Sequence, residues 1–441
     1  MASSGSPASQ SRVLIGLILG AVAGVIVNYV TTPAATAEMP QPPPAAWVLT
    51  VVKYVTKPIG ELFINLLFLP IIPLVFASLA LGVTRLGGGA NLGRIGFKTI
   101  TYFIITTACA ALIGLVVVNL IKPGTRLPEA KRNELMAYFG GEAKGKLDNR
   151  QELGIQTIVN IVPRNPLDAF VKKDMLAVIF TAFLVGVALT AIPPQHAKPI
   201  VDLLEGINAI TDFILRFAMK LAPIGVFALI FSTTAMFGYE LLVALGAFVV
   251  TVLIGLLIQL VVVFPPLVQV LGGMNPIEFF RKARGTMITA FSTSSSSATL
   301  PTAMKCAEED LGVPKPISQF VLPLSASMNH NGTALFEGVT VMFLAQAFGV
   351  DLTLQQQLLV LLLCVVTATG MAGVPGGSLP LIGMVLAAVG VKEGAIAIVL
   401  GVDRLLDMCR TMVNVTGDLT TAVYVAKSEQ ASINPADPPH R

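Results

Sequence analysis

DRLLDMCRTMVNVTGD, residues 403–418, places Asp403, Asp407, Arg410, Asn414 and Asp418 at successive spacings of four, three, four and four. On a helix these positions share one stripe roughly 80° wide. Asp407 and Arg410 are neighbours at i, i+3. The segment 393–427 around them is otherwise largely apolar. A charge at the centre of a bilayer costs at least about 2.5–3.5 kcal/mol. Four charges on one face therefore need partners or a water-filled cavity. Either the stripe is a structural ion-pair network between helices, or it is a substrate or ion site. Its chemistry suits a zwitterion with an extra acid. Arg410 can hold a carboxylate through parallel N–H bonds, and Asp407 can accept from an α-ammonium. Asn414 can serve a second carboxylate, and Asp418 suits a hard cation.

The rest of the chain carries the same texture. Of 441 residues, 54% are hydrophobic and 12% charged, against about 25% charged in soluble chains. Lipid is the solvent such a surface fits, and spanning segments are helical because lipid cannot satisfy backbone groups. The apolar runs predict helices over 13–31, 57–84, 97–121, 175–193, 208–237 and 241–272. A Pro-rich stretch, Thr31 to Ala46, links the first two, and a long polar loop runs from Lys122 to Asp174. The run Val13 to Val30 reads as a first transmembrane helix, being long for a signal peptide and lacking a small-residue cleavage site. Lys and Arg in the short connections place both termini in the cytoplasm. The net charge of +4 is spread over connections, which argues against a nucleic-acid partner. Cys109, Cys306, Cys364 and Cys409 form no metal-binding spacing.

Beyond residue 275 the apolar segments are interrupted. Residues 276–309 break at STSSSSATLP (Ser292 to Pro301), 316–349 at NHNGT (Asn329 to Thr333), and 354–391 at GMAGVPGGSLP (Gly370 to Pro380). The order is broken hairpin, polar span, broken hairpin, polar span, which suggests an internal repeat. Paired broken segments point to a binding site near mid-membrane. A broken helix exposes N–H groups at one end and carbonyls at the other. The serines 294–297 can bind a carboxylate or satisfy their own turn. Asn329, Asn331 and Thr333 flank Gly332 in a turn with carbonyls free for cations. His330 and Glu337 lie in the same span, as a satisfied histidine and paired glutamate or as proton carriers. A carboxyl in an apolar span is costly to ionise, which suits the latter.

These motifs together resemble the dicarboxylate/amino acid:cation symporters, the excitatory amino acid transporter family. The likeness is densest over 275–427 and extends through PLVFASLALGV (Pro73 to Val83), IVPRNP and APIGVFAL (Ala222 to Leu229). The broken-helix rule was itself drawn partly from this family. The resemblance implies an all-α polytopic membrane protein with eight transmembrane helices, two re-entrant hairpins and inverted repeats, assembled as a homotrimer in the inner (plasma) membrane. It implies an elevator mechanism, with the second hairpin near Val374 as the gate. A cytoplasmic tail (1–12) would precede scaffold helices one and two (13–96). Helix three (97–121) would belong to the transport domain, and an extracellular loop with the start of helix four (122–174) would follow. Scaffold helices four and five (175–240), transport-domain helix six (241–272), the transport core (276–427) and a cytoplasmic tail (428–441) would complete the chain.

By the same resemblance, Ser295, Ser296, Thr333, Val374, Asp407, Arg410, Thr411 and Asn414 would line an acidic amino acid. Asn329, Asn414, Asp418 and the Ser325 carbonyl would form one sodium site. Carbonyls of Ser327, Ala368, Thr369 and Met371 would form a second. The family turn usually reads Asn-Met-Asp-Gly-Thr, and here Asn331 replaces its aspartate. A third cation site at Thr106, Thr107 and Asn331 is therefore degraded, and Phe103 stands where archaeal relatives carry tyrosine. Glu337 matches the proton-carrying glutamate of mammalian members. Ser294 stands in place of a hairpin-tip arginine, whose charge Arg404 can supply from the last helix. No cofactor is implied beyond co-transported sodium and/or protons. The leading expectation is glutamate or aspartate uptake driven by protons, with or without sodium, ahead of ordinary sodium symport. C4-dicarboxylate symport is the alternative, and passive anion conduction a further class. An intramembrane serine hydrolase using Ser294 to Ser297, His330 and Asp407 is remote, there being no GxSxG.

Overall fold

Where the sequence turns apolar the chain becomes helical, and a computed structural model gives the helices their bounds. It describes residues 7–32, 44–84, 90–127, 162–172, 175–371, 376–391 and 393–433. Among these residues every regular element is a helix. Val374 and most of the loop 122–174 lie outside the described residues.

Helix α1 (Pro7–Thr31) starts ahead of the expected Val13. The next expected helix, 57–84, begins earlier and is broken. It comprises α2 (Ala46–Val51), a π turn (Val52–Thr56), α3 (Lys57–Phe68) and α4 (Ile71–Thr84). Pro70 has no N–H to donate, which interrupts the ladder between α3 and α4. Next come α5 (Ala90–Ile121), α6 (Pro166–Lys172) and α7 (Met175–Ala191). Helix α8 (Pro194–Phe237) is much longer than the expected 208–237. Pro194 pre-sets its first turn, a Lys198–Asp202 pair at 2.7 Å supports the next, and Gly238 ends it at φ +74°. Helix α9 (Glu240–Ile258) continues through π turns at Gln259–Val263 and Leu267–Leu271, on either side of Phe264–Pro266. Pro265 and Pro266 remove two donors, and the wider register accommodates the loss.

The stretches Ala46–Thr84, Arg94–Arg126, Pro194–Phe237 and Leu241–Leu271 are long and apolar enough to cross a membrane, among the described residues. Ile15–Thr31, Ala177–Ala191 and Leu354–Thr369 are shorter apolar helices.

The C-terminal part is built of α10 (Pro276–Thr293), α11 (Ser296–Lys305), α12 (Lys315–Met328) and α13 (Asn331–Ala347). It continues with α14 (Leu354–Thr369), α15 (Leu379–Ala388) and α16 (Leu400–Ile433). The interruptions fall inside the stretches the sequence marks, but two are narrower. Between α10 and α11 only Ser294 and Ser295 leave the helix, with Ser294 left-handed at φ 48°. Between α12 and α13 only Asn329 and His330 do so. Helix α13 is buried on all sides through its first fifteen residues, Asn331 to Ala345. Its polar residues Asn331, Thr333, Glu337 and Thr340 are buried with the rest. Its N-terminus crosses α16 so closely that a Cβ on Gly332 would lie 2.7 Å from the Arg410 carbonyl oxygen.

Candidate functional site

The i, i+3 and i, i+4 spacings of α16 bring its charges together as the sequence requires. Arg410 is 1% exposed. Its Nη1 donates to Asp403 Oδ1 at 2.7 Å. Its Nε and Nη2 both reach Asp407 Oδ1, at 3.0 and 2.9 Å. The guanidinium lies 4.3 Å from the centre of the Phe336 ring on α13, a cation–π contact that helps replace lost hydration. All three nitrogens of Arg410 are therefore committed within the chain. Asp407 Oδ2 accepts from Arg404 Nη1 and from the Gly376 N–H, each at 3.3 Å. Arg404 is buried and its Nη2 has no partner. Two acids and two bases thus form one buried, balanced cluster, as buried charges require.

One turn along, Asn414 Oδ1 accepts from the Gly332 N–H at 2.7 Å, and its Nδ2 donates to Thr333 Oγ1 at 3.0 Å. The carboxamide caps the start of α13, which satisfies an orphan donor of that helix. Thr411 is buried beside it on α16. Further on, Asn329 Nδ2 donates to Asp418 Oδ1 at 3.0 Å, and Asn329 Oδ1 has no partner. The Ser325 carbonyl accepts from the Asn329 N–H at 2.8 Å.

Of the residues expected at a third cation site, Thr107 donates to Asn331 Oδ1 at 2.8 Å, and Asn331 Nδ2 is unpartnered. Thr106 turns instead to the Tyr102 carbonyl of its own helix, at 2.8 Å. Asn331 thus brings an amide to this point without the full charge a carboxylate would offer a hard cation.

Of the second expected set of carbonyls, that of Ala368 has a side-chain donor, while the hydroxyls of Ser327 and Thr369 turn to the Pro323 and Val366 carbonyls of their own helices. The Ala368 carbonyl accepts from His330 Nδ1 at 2.9 Å. Facing a carbonyl, that nitrogen must carry the proton. Glu337 Oε2 accepts from Thr367 Oγ1 at 2.7 Å, while its Oε1 is unpartnered and its side chain fully buried. His330 and Glu337 therefore both hold the end of α14 to α13. At the serine tip, Ser295 Oγ caps α11 through the Ala298 N–H at 3.2 Å, and Ser296 is buried. Buried Ser294 Oγ has no partner.

Two polar groups escaped the sequence reading. Gln259 in the π turn is fully buried with neither carboxamide atom partnered. A glutamine inside an apolar run was a signal for it. Ser378 Oγ, before α15, is likewise buried and unpartnered.

Residues 10–428 match the Sodium:dicarboxylate symporter family. A proton/sodium-glutamate symport protein of Bacillus subtilis (strain 168) is 35% identical over 428 residues, covering 97% of this chain and 94% of the relative. A proton/glutamate-aspartate symporter of the same organism is 36% identical over 380 residues, 85% of this chain and 89% of the relative. A C4-dicarboxylate transport protein, again of that organism, is 33% identical over 377 residues, 85% and 87%. With its charged stripe buried among interrupted apolar helices and its length matched almost throughout, the chain belongs to the sodium:dicarboxylate symporter family, membrane transporters and not enzymes.

Proposed function

We propose that the protein takes up glutamate or aspartate together with cations, protons and/or sodium. The observation that carries this reading is the cluster of Arg410, Asp403, Asp407 and Arg404 around one buried guanidinium. Without substrate, one oxygen of Asp407 occupies two nitrogens of Arg410. An entering side-chain carboxylate takes those two nitrogens, which suit it geometrically. Asp407 then turns to the substrate ammonium. Asp403 keeps Nη1 and holds the guanidinium against Phe336. The exchange keeps Arg410 and Asp407 paired, and the net negative charge the substrate brings is left for the co-transported cation to balance in a low-dielectric site. A dicarboxylate without an ammonium would leave Asp407 uncompensated on one side. That disfavours C4-dicarboxylate transport, even though a relative of that name is similar.

The architecture of this reading is eight transmembrane helices and two re-entrant hairpins, α10–α11 and α14–α15, in an inverted repeat. A transport domain of α5, α9 and everything after residue 275 slides as an elevator against the remaining helices, in a trimer with both termini cytoplasmic. Ser295, Ser296, Thr333, Thr411 and Asn414 complete the substrate shell with Val374. Asn329 and Asp418 hold one cation, and Glu337 carries a proton.

Reconstitution in liposomes tests this. Labelled L-aspartate and L-glutamate uptake is measured under a sodium gradient alone and a pH gradient alone. Uptake under pH alone, abolished by Glu337→Gln, supports proton coupling. Uptake with sodium only makes Glu337 structural. No uptake under either gradient sinks the acidic amino acid clamp.

A further inference from the structure

Two helices end close to His330. Helix α12 closes at Met328, directly before it in the chain, and α14 closes at Thr369. The last carbonyls of a helix lack partners within it and carry the negative end of its dipole. At the end of α14 three of these carbonyls nevertheless have donors. The Val366 carbonyl accepts from Thr369 Oγ1 at 2.7 Å, and that of Thr367 from the Gly370 N–H at 3.0 Å. The Ala368 carbonyl accepts from His330 Nδ1 at 2.9 Å. The first two donors are local to α14, so they belong to the helix end itself. The third comes from another helix pair and is fully buried. A bare carbonyl there would be an unsatisfied buried acceptor at a negative helix end. Such a point draws either a positive ion or an N–H donor.

We propose that the imidazole of His330 is a built-in substitute for a monovalent cation at the C-terminus of α14, so that this point binds no sodium. The neutral ring donates one N–H and adds no charge, so α14 stays docked on α13 whether or not sodium is present. The consequence for coupling rests on the symport reading above. The assignment of His330 as the donor that fills the point does not.

The test is the thermal stability of the purified full-length protein as sodium chloride replaces choline chloride at constant ionic strength. The slope of Tm against the logarithm of sodium concentration reports how many ions the folded state binds. His330→Met removes the donor, and its slope is expected to be steeper than that of the wild type by about one bound ion. His330→Asn places an amide N–H where Nδ1 stood and is expected to keep the wild-type slope. Equal slopes for wild type and His330→Met would overturn the assignment, as would a steep slope for His330→Asn. Should His330→Met fail to fold, the wild type supplies the answer. The chain has only three histidines, so its imidazole ¹⁵N signals are separable. A hydrogen-bonded Nδ1–H of His330 unchanged between choline and sodium supports the proposal, and its loss on adding sodium overturns it. If the slopes differ as expected while acidic amino acids are not transported, the substrate reading falls and this assignment stands.

Discussion

Arg410 makes three charge-assisted contacts and one aromatic contact from a single buried side chain. Lysine keeps the charge but presents one nitrogen in place of a planar fork. Arg410→Lys is therefore expected to weaken competition by unlabelled L-aspartate about 10- to 100-fold, roughly 1.4–2.7 kcal/mol. Asp407→Asn removes the acceptor proposed for the ammonium and unbalances the cluster. In uptake competition it should narrow the preference for aspartate over succinate, and it should lower Tm because a buried base loses its partner. If Asp407→Asn left the aspartate-to-succinate ratio unchanged, Asp407 would not be the ammonium's partner. The identities and spacing of these residues already placed them on one face. That Phe336 would make the ring contact was hidden, because it depends on how α13 lies against α16.

At the scale of elements, close helix contacts decide the geometry. Helix α1 carries Gly16, Gly20 and Gly24 at four-residue intervals. Cβ atoms on Gly16 and Gly20 would lie 2.4 Å and 2.8 Å from the carbonyl oxygens of Pro223 and Phe227 on α8. Small residues at this spacing let two membrane helices approach along their backbones. Gly20→Leu is expected to push α1 off α8 and lower Tm by several degrees, with substrate affinity preserved because the charged cluster is elsewhere. Gly332→Ala acts at the site itself. Its methyl would meet the Arg410 backbone, which cannot rotate away. We expect a cost of about 1–3 kcal/mol, read as a lower Tm together with a loss of acidic amino acid uptake. A Gly332→Ala protein with wild-type uptake would show that the α13–α16 approach is not needed. The helix breaks themselves were legible from clusters of Ser, Asn and Gly. Their width was not, since Asn331 enters α13 when Asn414, 83 positions later in sequence, caps that helix.

For the molecule as a whole, the ends of distant segments are tied at one point. Glu429, past the apolar part of α16, accepts from Arg94 Nη2 and from Lys98 Nζ on α5, the latter at 2.9 Å. Burial pushes its carboxyl up, but the hydrogen bonds and charges of Arg94 and Lys98 outweigh this and hold it below the usual glutamate range. A folded-state value below the unfolded one gives stability that is present above the unfolded value, about 4.3. It is lost as pH falls through the folded value. Glu429→Gln should thus lower Tm at pH 7 by roughly 2 °C. The gap between variant and wild type should close below about pH 4. A gap that persisted at acid pH would mean the residue acts by packing and not by charge.

From the sequence alone follow the helical class, the lipid setting, the interrupted C-terminal segments and the charged stripe. Each depends on local composition or on spacing along one helix, which the backbone repeat converts directly into a face. Pairing across helices could not be read that way. Asn329 with Asp418, Thr107 with Asn331, His330 with the Ala368 carbonyl and Glu429 with Lys98 join residues far apart in the chain. Any of these polar groups had several chemically adequate partners. Only packing, which sets which helix faces meet and leaves room for one pairing at each crossing, chose among them.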